Sequence, residues 1–95
     1  LIKQAFLDDV ANYINTRIKK IRLNDSYLID QFVVKQVQQS TVTMEFLVPF
    51  GSVEVIDKID LIDQENQVIS TNSVTVPITS DTVILQSFEV KEDKA

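Results

Sequence analysis

At 95 residues the chain is long enough for one domain and too short for two, and a chain this size buries only roughly 60 to 70 % of the surface it exposes when unfolded. A formal net charge of −5 without a long basic run is the wrong electrostatic footprint for a protein that must neutralise phosphates, so nucleic acid is excluded as an expected partner. The absence of Cys and His removes disulfides, thiolate chemistry, the usual imidazole base and the usual zinc nitrogen ligand.

Leu7, Val10, Ile14, Ile18 and Ile21 recur at spacings of three and four beside Ala11, the stripe of an amphipathic helix. This spacing predicts one helix over residues 2–20, with Phe6 and Tyr13 widening the apolar face. Asp8 and Asp9 lie early and Arg17, Lys19 and Lys20 late, in the order the helix dipole favours. Beyond Ile21 the period becomes extended. Ile21 and Leu23 flank Arg22 in a short strand, Asn24-Asp25-Ser26 is a turn, and residues 27–29 return from it.

A strand is expected over residues 31–38, then a polar connection at Gln38-Gln39-Ser40. Residues 41–48 alternate most clearly: Val42, Met44, Phe46 and Val48 point one way, and Thr41, Thr43, Glu45 and Leu47 the other. Pro49 cannot donate to a ladder and Gly51 is the only glycine, so the sheet path breaks there. Residues 53–62 form a strand, and residues 59–69 form a hairpin with its tip at Gln64-Glu65, where Asn66 suits a left-handed backbone. Thr71-Asn72-Ser73 reads as a polar break, Val74 and Val76 as a short strand ended by Pro77, and residues 82–90 as a long final strand. Val83 and Leu85 make that strand apolar on both faces, which predicts that the helix or a neighbouring subunit covers the second face. Residues 91–95 read as a solvated tail.

The expected fold class is therefore α+β: a single domain over residues 1–95, with an N-terminal amphipathic helix followed by a mainly antiparallel β-sandwich over about residues 21–91. No apolar run approaches the ~20 residues of a membrane span.

Asp57, Asp60, Asp63 and Glu65 form the densest carboxylate group. Residues three apart on a strand point to opposite faces, and the EF-hand pattern is missing, so a solvated hairpin edge is expected rather than a Ca²⁺ site. Arg17, Lys19, Lys20 and Arg22 are the only basic cluster, open to an anionic contact but largely explained as a helix end. Phe50, beside Pro49 and Gly51 in a loop, is placed to anchor a partner, or else to fold back over the end of the sandwich. Phe50, Arg17 and Lys20 are thus the candidate partner contacts. No catalytic residue, metal ligand or cofactor is expected. A carboxylate hydrolase using Glu45 or Asp60 is the minor alternative, since small strand-rich domains more often bind than catalyse.

The runs Phe6-Leu7-Asp8-Asp9-Val10-Ala11, Phe32-Val33-Val34-Lys35-Gln36-Val37, Leu47-Val48-Pro49 and Val76-Pro77-Ile78-Thr79-Ser80-Asp81-Thr82 resemble small proteins from the tail-gene region of siphophages and prophages of Bacillus-like hosts. The resemblance spans nearly the whole chain, and its motifs are structural. It implies a non-enzymatic, tail- or baseplate-associated phage protein, made in the host bacterial cytoplasm and carried in the virion tail. It also implies a fold similar to the shoulder domain of lactococcal phage receptor-binding proteins, which assembles as a trimer. The expected partners are phage structural proteins or further copies of the chain. The alternative is a host-takeover factor that binds and inhibits a bacterial protein.

Overall fold

The computed structural model describes residues 2–91. Helix α1 spans Gln4–Arg17, and the strands are β1 Lys20–Leu23, β2 Tyr27–Ile29, β3 Val34–Gln38, β4 Thr41–Val48, β5 Val55–Ile62, β6 Val68–Pro77 and β7 Thr82–Glu89. All pairings between named strands are antiparallel: a four-stranded sheet of order β2-β1-β5-β6 and a three-stranded sheet of order β3-β4-β7. The fold is thus α+β with an N-terminal helix and two antiparallel sheets. Both sheets contribute to one core, with Ile21, Leu23, Ile59 and Leu61 from the first and Val42, Met44, Phe46 and Val48 from the second.

The helix ends three residues before the predicted Lys20, because the sheet takes those residues. Ile18 already has an extended backbone (φ −78°, ψ 114°), and the Lys19 amide donates to the Ile62 carbonyl at 2.9 Å. No acidic residue lies in the first turn, so the dipole complementarity expected from Asp8 and Asp9 is absent, while Arg17 does occupy the last turn. Ala11 is the buried residue of the helix and Ile14 packs against the core. Phe6 and Tyr13 are exposed, not part of the apolar face as expected.

Helix α1 lies on β3 and β4, on the core side of the three-stranded sheet. Lys35 is paired in register with buried Met44, and its Nζ donates to the Asn15 carbonyl and, at 3.0 Å, to Asn15 Oδ1. That bond satisfies a carbonyl in the last turn, where helical partners run out. At the other end, Gln4 Nε2 donates to Ser40 Oγ at 3.1 Å.

The strand expected from residue 31 starts at Val34, and the final strand closes at Glu89. The hairpin of β5 and β6 has its tip at Gln64-Glu65 as expected, with Asn66 at φ 66°. The polar break at Thr71-Asn72-Ser73 does not occur. β6 runs through it because it is an edge strand whose first six residues, 68–73, are exposed on both faces, where polar side chains cost little and the β5 ladder holds the backbone. The expected tail beyond Lys91 lies outside the described residues.

The β5–β6 register slips twice, between Ile56 and Lys58 and between Leu61 and Ile62, and the first slip has a visible cause. There the amides of Asp57 and Lys58 both donate to Asn24 Oδ1, at 2.8 and 3.2 Å. Consecutive amides of a regular strand point in opposite directions, so this shared acceptor marks a bulge-like irregularity. It lets Ile56 and Ile59, three residues apart, both reach the core.

Candidate interaction surface

Of the hairpin carboxylates, Asp57 and Glu65 are exposed as a solvated edge would be, but the other two are not. Asp60 is fully buried and Asp63 nearly so. Arg22 on β1, Asp60 on β5 and Thr71 on β6 are direct register partners across three adjacent strands. Arg22 Nε and Nη2 donate to Asp60 Oδ2 at 3.3 and 3.1 Å, Thr71 Oγ1 donates to Oδ1 at 2.8 Å, and Lys58 Nζ stands 3.7 Å from Oδ2. Burial pushes the Asp60 pKa up, but the Thr71 hydroxyl, the Arg22 guanidinium and the Lys58 ammonium outweigh it and hold the carboxyl below its ordinary range. The alternation of β5 places Asp60 opposite Ile59 and Leu61, which are in the core, so it is sealed on the outer face by long side chains.

Asp63 closes the turn. The amides of Glu65 and Gln67 donate to its Oδ1 at 2.9 and 2.8 Å, and Arg17 Nη2 donates to its Oδ2 at 2.9 Å. The Gln67 amide, with help from Arg17 and the Glu65 amide, holds the Asp63 pKa low against the opposing effect of burial. No group of three or more acidic side chains that could hold a metal ion occurs among the described residues. The basic cluster answers these acids. Arg17 also donates to the Tyr13 hydroxyl at 2.9 Å, and Lys20 Nζ to Asn66 Oδ1 at 3.0 Å. A groove of about 460 Å³ lined by Thr16, Arg17, Lys19, Asp63, Gln64 and Glu65 runs beside them.

Phe50 sits at the opposite end of the molecule. Its side chain is 66 % exposed, in a tight turn where the Ser52 amide donates to the Pro49 carbonyl and Gly51 takes φ 92°. Asp81 Oδ1 accepts from the Phe50 amide at 2.8 Å and pins the turn to the start of β7. Phe50 lies just before β5, whereas Arg17 and Lys20 bond to the turn just after it, so an eight-residue strand of about 25 Å separates them. The three candidate contacts therefore do not form one site.

What the fold does bring together is an apolar strip on the outer face of the three-stranded sheet. Leu47 on β4 stands directly opposite Val83 on β7, and Leu85 follows on the same face, opposite Glu45. These three side chains are 42, 52 and 58 % exposed. The helix and the other sheet lie on the core side, so the helix is not the cover expected for Val83 and Leu85. Leu47 was not singled out from the sequence, although a leucine in the solvent register of the most regular strand was the available signal. Beside it, a groove of about 400 Å³ runs between β2 and the end of β4, with Leu28, Val33, Leu47 and Pro49 in its wall.

Comparison with known protein families, characterised proteins and solved structures gives no match to this chain. No helix among the described residues is long and apolar enough to cross a membrane.

Proposed function

We propose that this protein is a phage virion or assembly component, tail- or baseplate-associated, that works by protein–protein contact and not by catalysis. The observation that carries the reading is the uncovered strip of Leu47, Val83 and Leu85, three large apolar side chains in contiguous register on a sheet face that no other element of the described chain covers. Such surfaces mark interaction sites when they occur on small folded domains. The best-formed carboxylate supports a binding role as well: Asp60 is held ionised, with both oxygens occupied by Arg22 and Thr71, a poor arrangement for proton transfer. The phage assignment rests on the sequence resemblance. Mass spectrometry of purified virions of the source phage should detect the chain at a fixed stoichiometry to the tail proteins. Repeated absence from intact virions sinks the virion reading.

The acidic balance favours a second reading, a factor that binds and inhibits a host protein. In that case the chain is absent from virions but co-purifies with a bacterial protein from infected cells, and loses that partner when Leu85 is made charged.

A further inference from the structure

The four strand edges of this fold are not treated alike. β2 spans three residues; β3 carries the inward-pointing Lys35; β6 has two register slips and ends in Pro77. Each of these is a known way of discouraging an unwanted strand from pairing. β7 has none of them. It is eight residues long, pairs with β4 without a single slip from Thr82 to Glu89, contains no Lys, Arg or Pro, and carries Val83 and Leu85 exposed on its outer face. No strand among the described residues lies on its far side.

We infer that β7 is an acceptor edge, and that its occupant is an extended segment of a partner protein that adds antiparallel as a fourth strand, with apolar side chains opposite Val83 and Leu85 and basic ones opposite Ser87 and Glu89. This rests on the reading of the protein as a contact module and names its partner's chemistry. Main-chain bonds along such an edge supply affinity, and alternate side chains supply selectivity. The charge pattern decides the occupant. The outer face of β4 and β7 bears Glu45 and Glu89 and no basic residue within the strands, with Asp81 before β7 and Lys91 after it. A second copy pairing antiparallel about Leu85 would bring each Glu89 against the other copy's Asp81, a like-charge pairing that opposes self-association. A Lys or Arg at that position of a foreign strand is attracted instead.

The test uses the isolated chain and a capped peptide, acetyl-Lys-Thr-Arg-Thr-Ile-Thr-Val-Thr-amide, written in the order that meets Glu89 first. With backbone amide NMR and peptide up to about 1 mM, shifts should concentrate on residues 82–89, with their outward amides gaining protection from exchange. Binding should weaken with salt, and should fall at least about tenfold when the peptide's Lys and Arg become Glu, or when Leu85→Lys is made in the protein. Both Val83 and Leu85 are exposed, so Val83→Lys and Leu85→Lys should keep the circular dichroism and melting temperature of the parent. Absence of binding, shifts on β6 or the grooves, or equal binding of the Glu peptide overturns the inference. A parent that is oligomeric by light scattering and becomes monomeric on Leu85→Lys overturns it in favour of a second copy. None of these outcomes alters whether the chain is found in virions, so the two readings fail separately.

Discussion

Arg22 on β1 reaches Asp60 on β5 through two nitrogens, and Asp60 is the only acidic side chain among the described residues to be completely removed from water. The pair lies on the outer face of its sheet, under its own side chains and those of Lys58 and Thr71, so it is screened less than a surface pair and more than a core pair. Replacing Arg22 with Met leaves the carboxylate short of its main partner and should cost roughly 1 to 3 kcal/mol, whereas Asp60→Asn keeps an acceptor for Thr71 and should cost less. Urea unfolding of the two variants measures the difference; equal stability of parent and Arg22→Met would show the pair to be energetically idle.

The same carboxylates set the acid limit of the fold. Asp60 and Asp63 both titrate below the ordinary aspartate value when folded. A carboxylate with a depressed folded pKa contributes stability that is complete above its unfolded pKa of about 4, and that is withdrawn as pH falls through the folded value. The urea midpoint should therefore hold steady from neutrality to about pH 5 and decline below about pH 4. Asp60→Asn should make that decline shallower. A midpoint that already falls between neutrality and about pH 5 would assign the acid sensitivity to other groups.

Asn24 combines two demands in one residue. It holds a positive φ of 54° and its side chain accepts from the amides of Asp57 and Lys58 while donating to the Val55 carbonyl at 2.8 Å. Asn24→Gly should recover the backbone preference and lose the three bonds; Asn24→Ala should lose both, with a cost of roughly 2 kcal/mol or more. Thermal melts should rank Ala below Gly and Gly below the parent; a Gly variant as stable as the parent would show that the bonds contribute nothing, and an Ala variant equal to Gly that the positive φ carries no cost.

In the turn after β4, a Cβ built on Gly51 meets nothing within 4 Å, so Gly51→Ala tests backbone conformation alone. At φ 92° it should cost roughly 1 to 2 kcal/mol without disturbing a neighbour. The adjacent Phe50→Ala should change stability by no more than about 0.5 kcal/mol, because the ring is mostly in solvent. Phe46→Ala, at a fully buried position, should cost about 3 to 5 kcal/mol. A large loss at Phe50 would mean that its ring packs on the domain after all.

Period carried the sequence reading as far as period can. The helix, the alternation of β4 and the hairpin tip at Gln64-Glu65 were all legible, because each depends on local spacing and turn chemistry. Asp60 was misread for the opposite reason. Its neighbours along the chain make it look like a solvent-facing residue, and only the register of β1 and β6 brings Arg22 and Thr71 over it. Thr71-Asn72-Ser73 misled in the same way: three polar residues signal a loop unless an edge strand is known to lie there. Among the candidate contacts, Phe50 was recognisable from its Pro-Gly setting. That Arg17 and Lys20 are engaged by the far turn needed the third dimension.

The order of strands also dictates an order of events. β3 and β4 are joined by two residues and β5 and β6 by five, so both hairpins can close as soon as they are made. The β4–β7 ladder, which pairs Thr41 with Glu89, closes a loop containing the whole of the other hairpin. Loop closure of that length makes it a late step, and on the ribosome it must wait until β7 has emerged. Until then Val42, Met44 and Phe46 stand on a strand with one side unpaired, and this nascent form is the state in which the chain is most exposed to aggregation.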